Sequence, residues 1–123
     1  MAGMEVLLAS AIEWTVRATG TNVTVTASKA APGVGFRNYC FGVSISLSAA
    51  PAVAAEAQLR KDSGASILDG WMIPAAAIAP LVVNYLTHPM ESSDNGDLDL
   101  NIPAMGAGVI AVAVLKGTTR SRG

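Results

Sequence analysis

The side chains that could act as a base or a nucleophile are one histidine and one cysteine. His88 precedes a proline, a position that favours extended backbone, and the sequence identifies no partner carboxylate that would orient a catalytic imidazole. Cys40 lies between Tyr39 and Phe41, which indicates a buried, inert thiol. A single cysteine provides neither an intramolecular disulfide nor the spacing of a zinc site. The sequence therefore predicts no enzyme and no cofactor.

The most polar stretch, residues 91–99, carries carboxylate, amide and hydroxyl oxygens around Gly96. Such oxygens could surround a calcium ion, which takes about six to eight of them. The candidate ligands are Asp94, Asn95, Asp97 and Asp99. The spacing does not match an EF-hand loop, and Asn95-Gly96 is a favoured two-residue hairpin turn. We favour the hairpin and assign no metal, with calcium as the alternative.

Aromatic residues could stack on a sugar or a base. Trp14 and Trp71 each lie inside an apolar alternation, which favours core packing over sugar binding. Arg37, Tyr39 and Phe41 alternate as they would on a nucleic-acid platform. The net charge of −1 gives such a platform little electrostatic support, so we expect no nucleic-acid partner.

The elements that must position these residues are β-strands, because the dominant hydrophobic period is two. It is clearest at Val43, Ile45 and Leu47, which alternate with serines. The same alternation occurs in residues 12–17, 22–26 and 97–102. Further strands are predicted at 55–61, 67–73, 81–86 and 109–115, separated by Gly, Pro, Asn and Asp turns. An alanine-rich helix over 49–59 is the alternative to the strand at 55–61.

This pattern predicts an all-β fold, an antiparallel β-sandwich of about eight or nine short strands with a jelly-roll-like arrangement. The 123 residues suffice for one domain. We expect an N-terminal arm or edge strand at 1–10, the sandwich at 11–117 and a flexible tail at 118–123. No signal peptide is visible, and the apolar runs are too short to span a bilayer. We therefore expect synthesis in the cytoplasm, a soluble protein and no membrane partner.

Composition indicates that part of the surface is covered by another polypeptide. The apolar fraction is 51% and the charged fraction 14%, whereas about 25% charged residues is usual. A small domain has a large surface, which polar side chains normally cover to a greater extent. If the chain forms homo-oligomers or packs against a neighbouring protein, part of its apolar surface is buried and fewer charged residues are needed.

Residues 43–117 resemble the small jelly-roll-like proteins that tailed bacteriophages mount on their heads, the decoration, cement and head-fibre proteins. The resemblance is an order of features: the serine-alternating strand at 43–48, a polar strand ending in Asp62-Ser63-Gly64, a strand bearing Trp71, a polar hairpin at 95–100 and a small-residue strand at 109–117. It covers about three-fifths of the chain. The alanine- and proline-rich segment 74–80 is more apolar than we expect at this place in such proteins. The N-terminal third of the chain resembles them in strand period alone.

The resemblance implies a structural virion protein on the capsid surface. Such proteins often sit as trimers over junctions between capsid subunits, so the implied partners are copies of the chain and the major capsid protein or another virion protein. Contact area would then supply the binding energy, at about 25 cal/mol per Å² before association costs. We expect interface, rather than core, positions at Met4, Val6, Leu7, Leu8, Ile78, Leu81 and Val83.

The competing hypothesis is a carbohydrate- or receptor-binding sandwich. It would use Trp14 or Trp71 together with the acidic loop, with or without calcium. This hypothesis requires a tryptophan ring open to solvent. A catalytic domain or a ligand-carrying barrel is a third hypothesis, and no motif in the sequence favours it.

Overall fold

Nine strands supply the regular structure of the residues that the computed structural model describes, 12–76 and 80–121. In chain order these are β1 (Ile12–Thr21), β2 (Val25–Lys29), β3 (Phe36–Leu47), β4 (Ala55–Lys61), β5 (Ser66–Ile73), β6 (Leu81–Asn84), β7 (Met90–Glu91), β8 (Leu98–Ile102) and β9 (Ile110–Ser121). The strands form two antiparallel sheets, which confirms the predicted all-β sandwich. Among the described residues, no helix is long and apolar enough to cross a membrane.

The two sheets contain strands from all along the chain. Sheet A has the order β1-β9-β3-β6, with β7 also paired to β3, and sheet B has the order β2-β8-β4-β5. The hairpin β4–β5 joins two strands of one sheet, whereas β1, β2 and β3 alternate between the sheets. This exchange between sheets is characteristic of jelly-roll-like sandwiches. The strand predicted at 55–61 coincides with β4, and the helix alternative is wrong.

The core lies between the sheets and follows the period-two pattern. On β3, Cys40, Val43 and Ile45 point inward and are at most 2% exposed. Sheet B contributes inward residues from each strand, and β9 contributes alternate small residues. The remaining buried apolar residues are Val25, Ala27, Ala57, Leu59, Ile73, Leu98, Leu100, Ile102, Met105, Val109, Ala111, Ala113 and Leu115.

Strand β9 is longer than the sequence predicts. It continues to Ser121 and pairs with β3 as far as Phe36↔Ser121, so 118–121 is a central strand of sheet A rather than part of a flexible tail. The physical reason is that Thr119 continues the inward alternation and its hydroxyl donates to Oδ1 of the buried Asn38 (2.6 Å). Residues 122 and 123 lie outside the described part of the chain.

The acidic loop is also arranged differently from the prediction. Its turn is closed by the Gly96 N–H donating to Ser93 O (2.9 Å), so Asp94 and Asn95 are the central residues. The flanking strands β7 and β8 belong to different sheets, so the expected hairpin at Asn95-Gly96 is wrong. The loop is instead a crossover between the sheets.

Candidate functional site

The outer face of sheet A divides into an uncharged half and a polar half. We define the uncharged face as Ser44, Ser46, Val82, Ile110, Val112 and Val114. These residues lie side by side, because the register pairs Ser44 with both Val82 and Val114, and Ser46 with Val112. Val82 is 63% exposed and Ile110 is 43% exposed. This half of the sheet therefore presents small hydroxyl and aliphatic side chains to solvent, and the exposed Arg17 of β1 borders it beside Val114.

The polar half contains an open cleft of about 380 Å³. We call it the aromatic cleft. Its lining residues come from β1, β9 and β3, and they are Glu13, Trp14, Thr15, Phe41, Lys116, Gly117, Thr118 and Arg120. A smaller furrow at Gly42, between Lys116 and Asn84, adjoins it.

A bulge in β3 helps to form the cleft. Cys40 pairs with Gly117 and Gly42 pairs with the next residue, Lys116, so Phe41 is an extra residue between them. Bulges bend a strand and redirect side chains. Phe41 becomes part of the outer surface in this way, while Cys40 remains inside.

Arg120 lies over two aromatic rings in the cleft. Its guanidinium carbon is 5.2 Å from the ring centroid of Tyr39 and 5.3 Å from that of Phe41, within the range of a cation–π interaction. Its Nε donates to the Thr118 hydroxyl (3.2 Å). These contacts fix the guanidinium plane and leave the donors on its two terminal nitrogens facing outward.

The cleft has an excess of positive charge. Arg120 and Lys116 are exposed, and the ion pair found among the described residues joins Arg37 and Glu91 (3.3 Å). Within that part of the chain, neither Lys116 nor Arg120 has a carboxylate within 4 Å. Glu13 is the acidic residue of the lining. The cleft therefore combines two unpaired cations, one carboxylate and aromatic carbon.

Trp14 is held at one side of the cleft. Its Nε1 donates to the Thr119 hydroxyl (3.1 Å), its ring packs against Gly117, and Lys29 Nζ is 5.7 Å from the ring centroid. Trp14 is half-buried and its ring packs on the inward side of β1, against Gly117 and the core, as predicted. The cleft lining includes this residue between Glu13 and Thr15, whose side chains face outward. Trp71 packs against the core from β5, at the opposite edge of the sandwich.

The candidate calcium ligands hold loops together. Asn95 Oδ1 accepts from the Gly33 N–H and Asp97 Oδ1 from the Ser63 N–H, both at 2.8 Å. Asp99 is 7% exposed, on β8. Among the described residues, no three His, Cys, Asp or Glu side chains are grouped so that they could hold a metal ion. The calcium site at Asp94, Asn95, Asp97 and Asp99 remains a prediction.

The other candidate residues are placed as follows. His88 is exposed in the loop between β6 and β7. Cys40 is fully buried, and its burial raises the pKa of the thiol to about 12. Tyr85 donates to Asp69 Oδ2 (2.7 Å), and burial raises its pKa. This bond connects the edges of the two sheets, because Asp69 lies on β5 and Tyr85 follows β6.

The predicted interface residues are only partly within the described chain. Met4, Val6, Leu7, Leu8 and Ile78 lie outside it, and their assignment remains a prediction. Leu81 and Val83 are half-buried and pack against the core on one side, and their assignment as interface positions also remains a prediction. The strand alternates, so Val82 between them faces solvent.

The cleft is not among the sites that the sequence predicts. The predicted flexible tail at 118–123 places one of its cations, Arg120, outside the sandwich, because glycine, serine and threonine surround it. The overlooked signal is that Gly117 and Thr119 continue the inward alternation of Ala113 and Leu115. The outward positions then necessarily carry Lys116, Thr118 and Arg120.

Comparisons with known proteins identify the fold. No protein-family model matches the chain, and no curated protein is significantly similar in sequence. Among solved structures, the chain is similar to one in the acidic stable capsid structure of Helicobacter pylori bacteriophage KHP30, with a TM-score of 0.55, 8% identity and 87% of each chain covered. It is also similar to part of dimeric latent PorU from Porphyromonas gingivalis, with a TM-score of 0.50, 14% identity and coverage of 91% of this chain and 13% of PorU.

Carbohydrate-binding modules are more distant neighbours. The CBM36-1 domain of a xylanase from the hindgut metagenome of Trinervitermes trinervoides has a TM-score of 0.41 and 11% identity, and covers 90% of this chain and 98% of its own. These comparisons agree with the jelly-roll-like β-sandwich seen in the topology. The low identities identify the fold class and no particular protein.

Proposed function

We propose that this protein is a non-catalytic structural component of a virion, a capsid decoration or cement protein of a tailed phage. The observation that carries the proposal is the similarity to a chain of the phage KHP30 capsid. The match covers 87% of both chains, so the two are of about equal length. A sandwich of this size is suited to addition to a shell.

The uncharged face supplies the contact surface that such a role requires. Its neighbours on β1 are Arg17, Thr19 and Thr21, which pair with Val114, Val112 and Ile110. Burying the six residues of the face costs little desolvation, because none of them is charged, and Arg17, on the edge strand, can keep its guanidinium in water. Symmetric copies would add avidity to each small contact. We propose that the partners are further copies of the chain, as a homotrimer, and the major capsid protein.

A charge placed in the uncharged face should abolish assembly. Val112→Lys puts an ammonium between Thr19 and Ser46, where a partner would have to bury it at a cost of about 3–5 kcal/mol, which weakens association about a hundredfold or more. The matched control is Ser28→Lys, at an exposed outward position on β2 of sheet B. Sedimentation velocity at about 1–100 µM measures self-association, and co-sedimentation measures binding to capsids of the phage or prophage that encodes the chain.

The wild-type chain and Ser28→Lys should both oligomerise and pellet with the capsids, while Val112→Lys should do neither. A wild-type chain that remains monomeric and stays in the supernatant would contradict the proposal. Equal loss of binding in both variants would contradict the assignment of the contact surface to the uncharged face.

Saccharide or receptor binding is a second candidate function, and the aromatic cleft favours it. Phe41 supplies an aromatic ring to this cleft, whereas the Trp14 ring packs inward beside it, and Trp71 and the acidic loop lie elsewhere on the sandwich. A volume of about 380 Å³ falls within the range of roughly 300–1,000 Å³ that is usual for small-molecule pockets. The cleft and the uncharged face occupy different halves of sheet A, so the two functions are compatible.

A further inference from the structure

The charged groups of the aromatic cleft are arranged for a ligand that carries an anion. Lys116 and Arg120 lie on the same face of β9, four residues and therefore about 13 Å apart along the strand. Thr118 lies between them and pairs with Glu13 on β1. A cation thus stands at each end of the cleft, with hydroxyl and carboxylate groups in the middle.

Arg120 is prepared for anion binding before a ligand arrives. Stacking over Tyr39 and Phe41 and the hydrogen bond to Thr118 restrict its side chain. A guanidinium ordered in this way loses less entropy when its remaining N–H groups bind a carboxylate or phosphate. Its charge is also available, because no ion pair occupies it within the described residues.

The rest of the lining is suited to hydroxyl groups and to an apolar ring face. The hydroxyls of Thr15 and Thr118 can donate and accept hydrogen bonds, and the carboxylate of Glu13 accepts them from hydroxyl donors. The ring of Phe41 adds apolar surface for C–H groups. A sugar ring presents both hydroxyl groups and C–H groups, and an acidic sugar adds the anion.

Glu13 argues against nucleic acid as the ligand. The phosphodiester backbone of a nucleic acid requires a continuous positively charged surface on the protein, whereas this cleft contains a carboxylate between its cations. The whole chain carries a net charge of −1, which gives no long-range attraction for a polyanion. A short ligand with one or two anionic groups can bind the cations of the cleft without placing a negative charge against the carboxylate of Glu13.

We propose that the aromatic cleft binds acidic saccharides, with Lys116 and Arg120 recognising the carboxylate, sulfate or phosphate group. Glu13, Thr15 and Thr118 bind hydroxyl groups of the same or an adjacent ring. This inference rests on the second candidate function and is independent of the capsid contact through the uncharged face. A virion protein with this site would contact acidic glycans while the other half of sheet A is attached to the shell.

The experiment is a titration of the full chain followed by NMR. The acidic probes are trigalacturonate, sialyllactose and glucose phosphate. Their neutral counterparts are cellotriose, lactose and glucose, and an oligo-dT strand tests nucleic-acid binding. We expect an acidic sugar to bind at least about tenfold more tightly than its neutral counterpart. The backbone amide signals of Glu13, Thr15 and Thr118, which line the cleft, should shift on binding, and the indole N–H signal of Trp71, at the far edge of the sandwich, should not.

Variants separate the site from general charge effects. Arg120→Gln and Lys116→Ala change exposed side chains and should each weaken the binding about tenfold or more. The matched control Lys61→Ala removes one positive charge at the end of β4 in sheet B and should leave the affinity unchanged.

Each of the other outcomes would overturn the inference. If acidic and neutral sugars bind equally in the cleft, saccharide binding stands and the role of the cations is wrong. If no sugar binds, the second candidate function fails as well. Tighter binding of oligo-dT than of any sugar would identify a nucleic-acid site instead. Equal weakening by Lys61→Ala would mean that the attraction is non-specific.

Discussion

Gly117→Ala is expected to lower the free energy of unfolding by about 3 kcal/mol. A Cβ at position 117 would overlap the backbone carbonyl oxygen of Tyr39 and would lie 2.7 Å from Cζ2 of Trp14. The carbonyl cannot move without separating β3 from β9, and the indole cannot move without losing its hydrogen bond to Thr119. Urea denaturation followed by tryptophan fluorescence measures the change.

The matched control is Gly42→Ala, on the neighbouring strand β3. A Cβ there would have its nearest neighbours, Asn84 Oδ1 and Val83 O, at 3.4 Å, which is ordinary van der Waals contact. Its effect should be at most about 1 kcal/mol in either direction. If Gly117→Ala were as stable as Gly42→Ala, the close packing of Trp14 and β3 on β9 would be wrong.

Asn38→Asp is expected to cost about 3–5 kcal/mol at neutral pH, because it places an uncompensated charge in the core. Asn38 is fully buried. Its Nδ2 donates to Ala30 O and Gly96 O, both at 3.0 Å, and its Oδ1 accepts from Thr119. The isosteric carboxylate would lose both donors and face two carbonyl oxygens.

The loss should depend on pH with a definite sign. Burial and the two carbonyl oxygens favour the protonated carboxyl at position 38, so its pKa in the folded state is raised above the unfolded value of about 4. The deficit relative to wild type is therefore smallest below about pH 4 and grows as the pH rises through the folded-state pKa. Urea denaturation of both proteins across this range measures the difference.

Asn101→Asp is the control for Asn38→Asp, because Asn101 lies on the outer face of sheet B and makes an exposed hydrogen bond to Thr26 (3.0 Å). It should cost less than about 1 kcal/mol, since an exposed group keeps its hydration. A pH-independent loss in Asn38→Asp, or equal losses in both variants, would contradict the role of Asn38 as a buried connection between loops.

Local alternation explains why much of the sandwich could be predicted. Residues 43–47, 55–61 and 98–102 each have one apolar and one polar face, and each lies in a strand. Strand pairing could not be predicted in this way, because residues distant in sequence decide it. β9 is central because both β1 and β3 pair with it, and no local signal in 110–121 specifies those partners.

The candidate site was missed for the same reason. The aromatic cleft requires the bulge at Phe41, the register of β3 on β9 and the continuation of β9 through Arg120. Each of these is a long-range feature. The buried Asn38 likewise has its partners at Ala30, Gly96 and Thr119, which only the folded chain brings together. The low charge content predicts that another polypeptide covers part of the surface, which stays a prediction, and it does not indicate which half of sheet A is uncharged.

Site-specific labelling in assembled particles tests most directly whether another polypeptide covers the uncharged face. Ser46→Cys and Ser28→Cys place thiols at exposed outward positions of sheets A and B. The native Cys40 does not compete, because it is fully buried and its pKa is raised to about 12. Maleimide labelling should be at least about tenfold slower for Ser46→Cys in capsids than in the dispersed chain, since a packed interface excludes solvent. Ser28→Cys should react equally in both, and equal rates for Ser46→Cys would contradict the account.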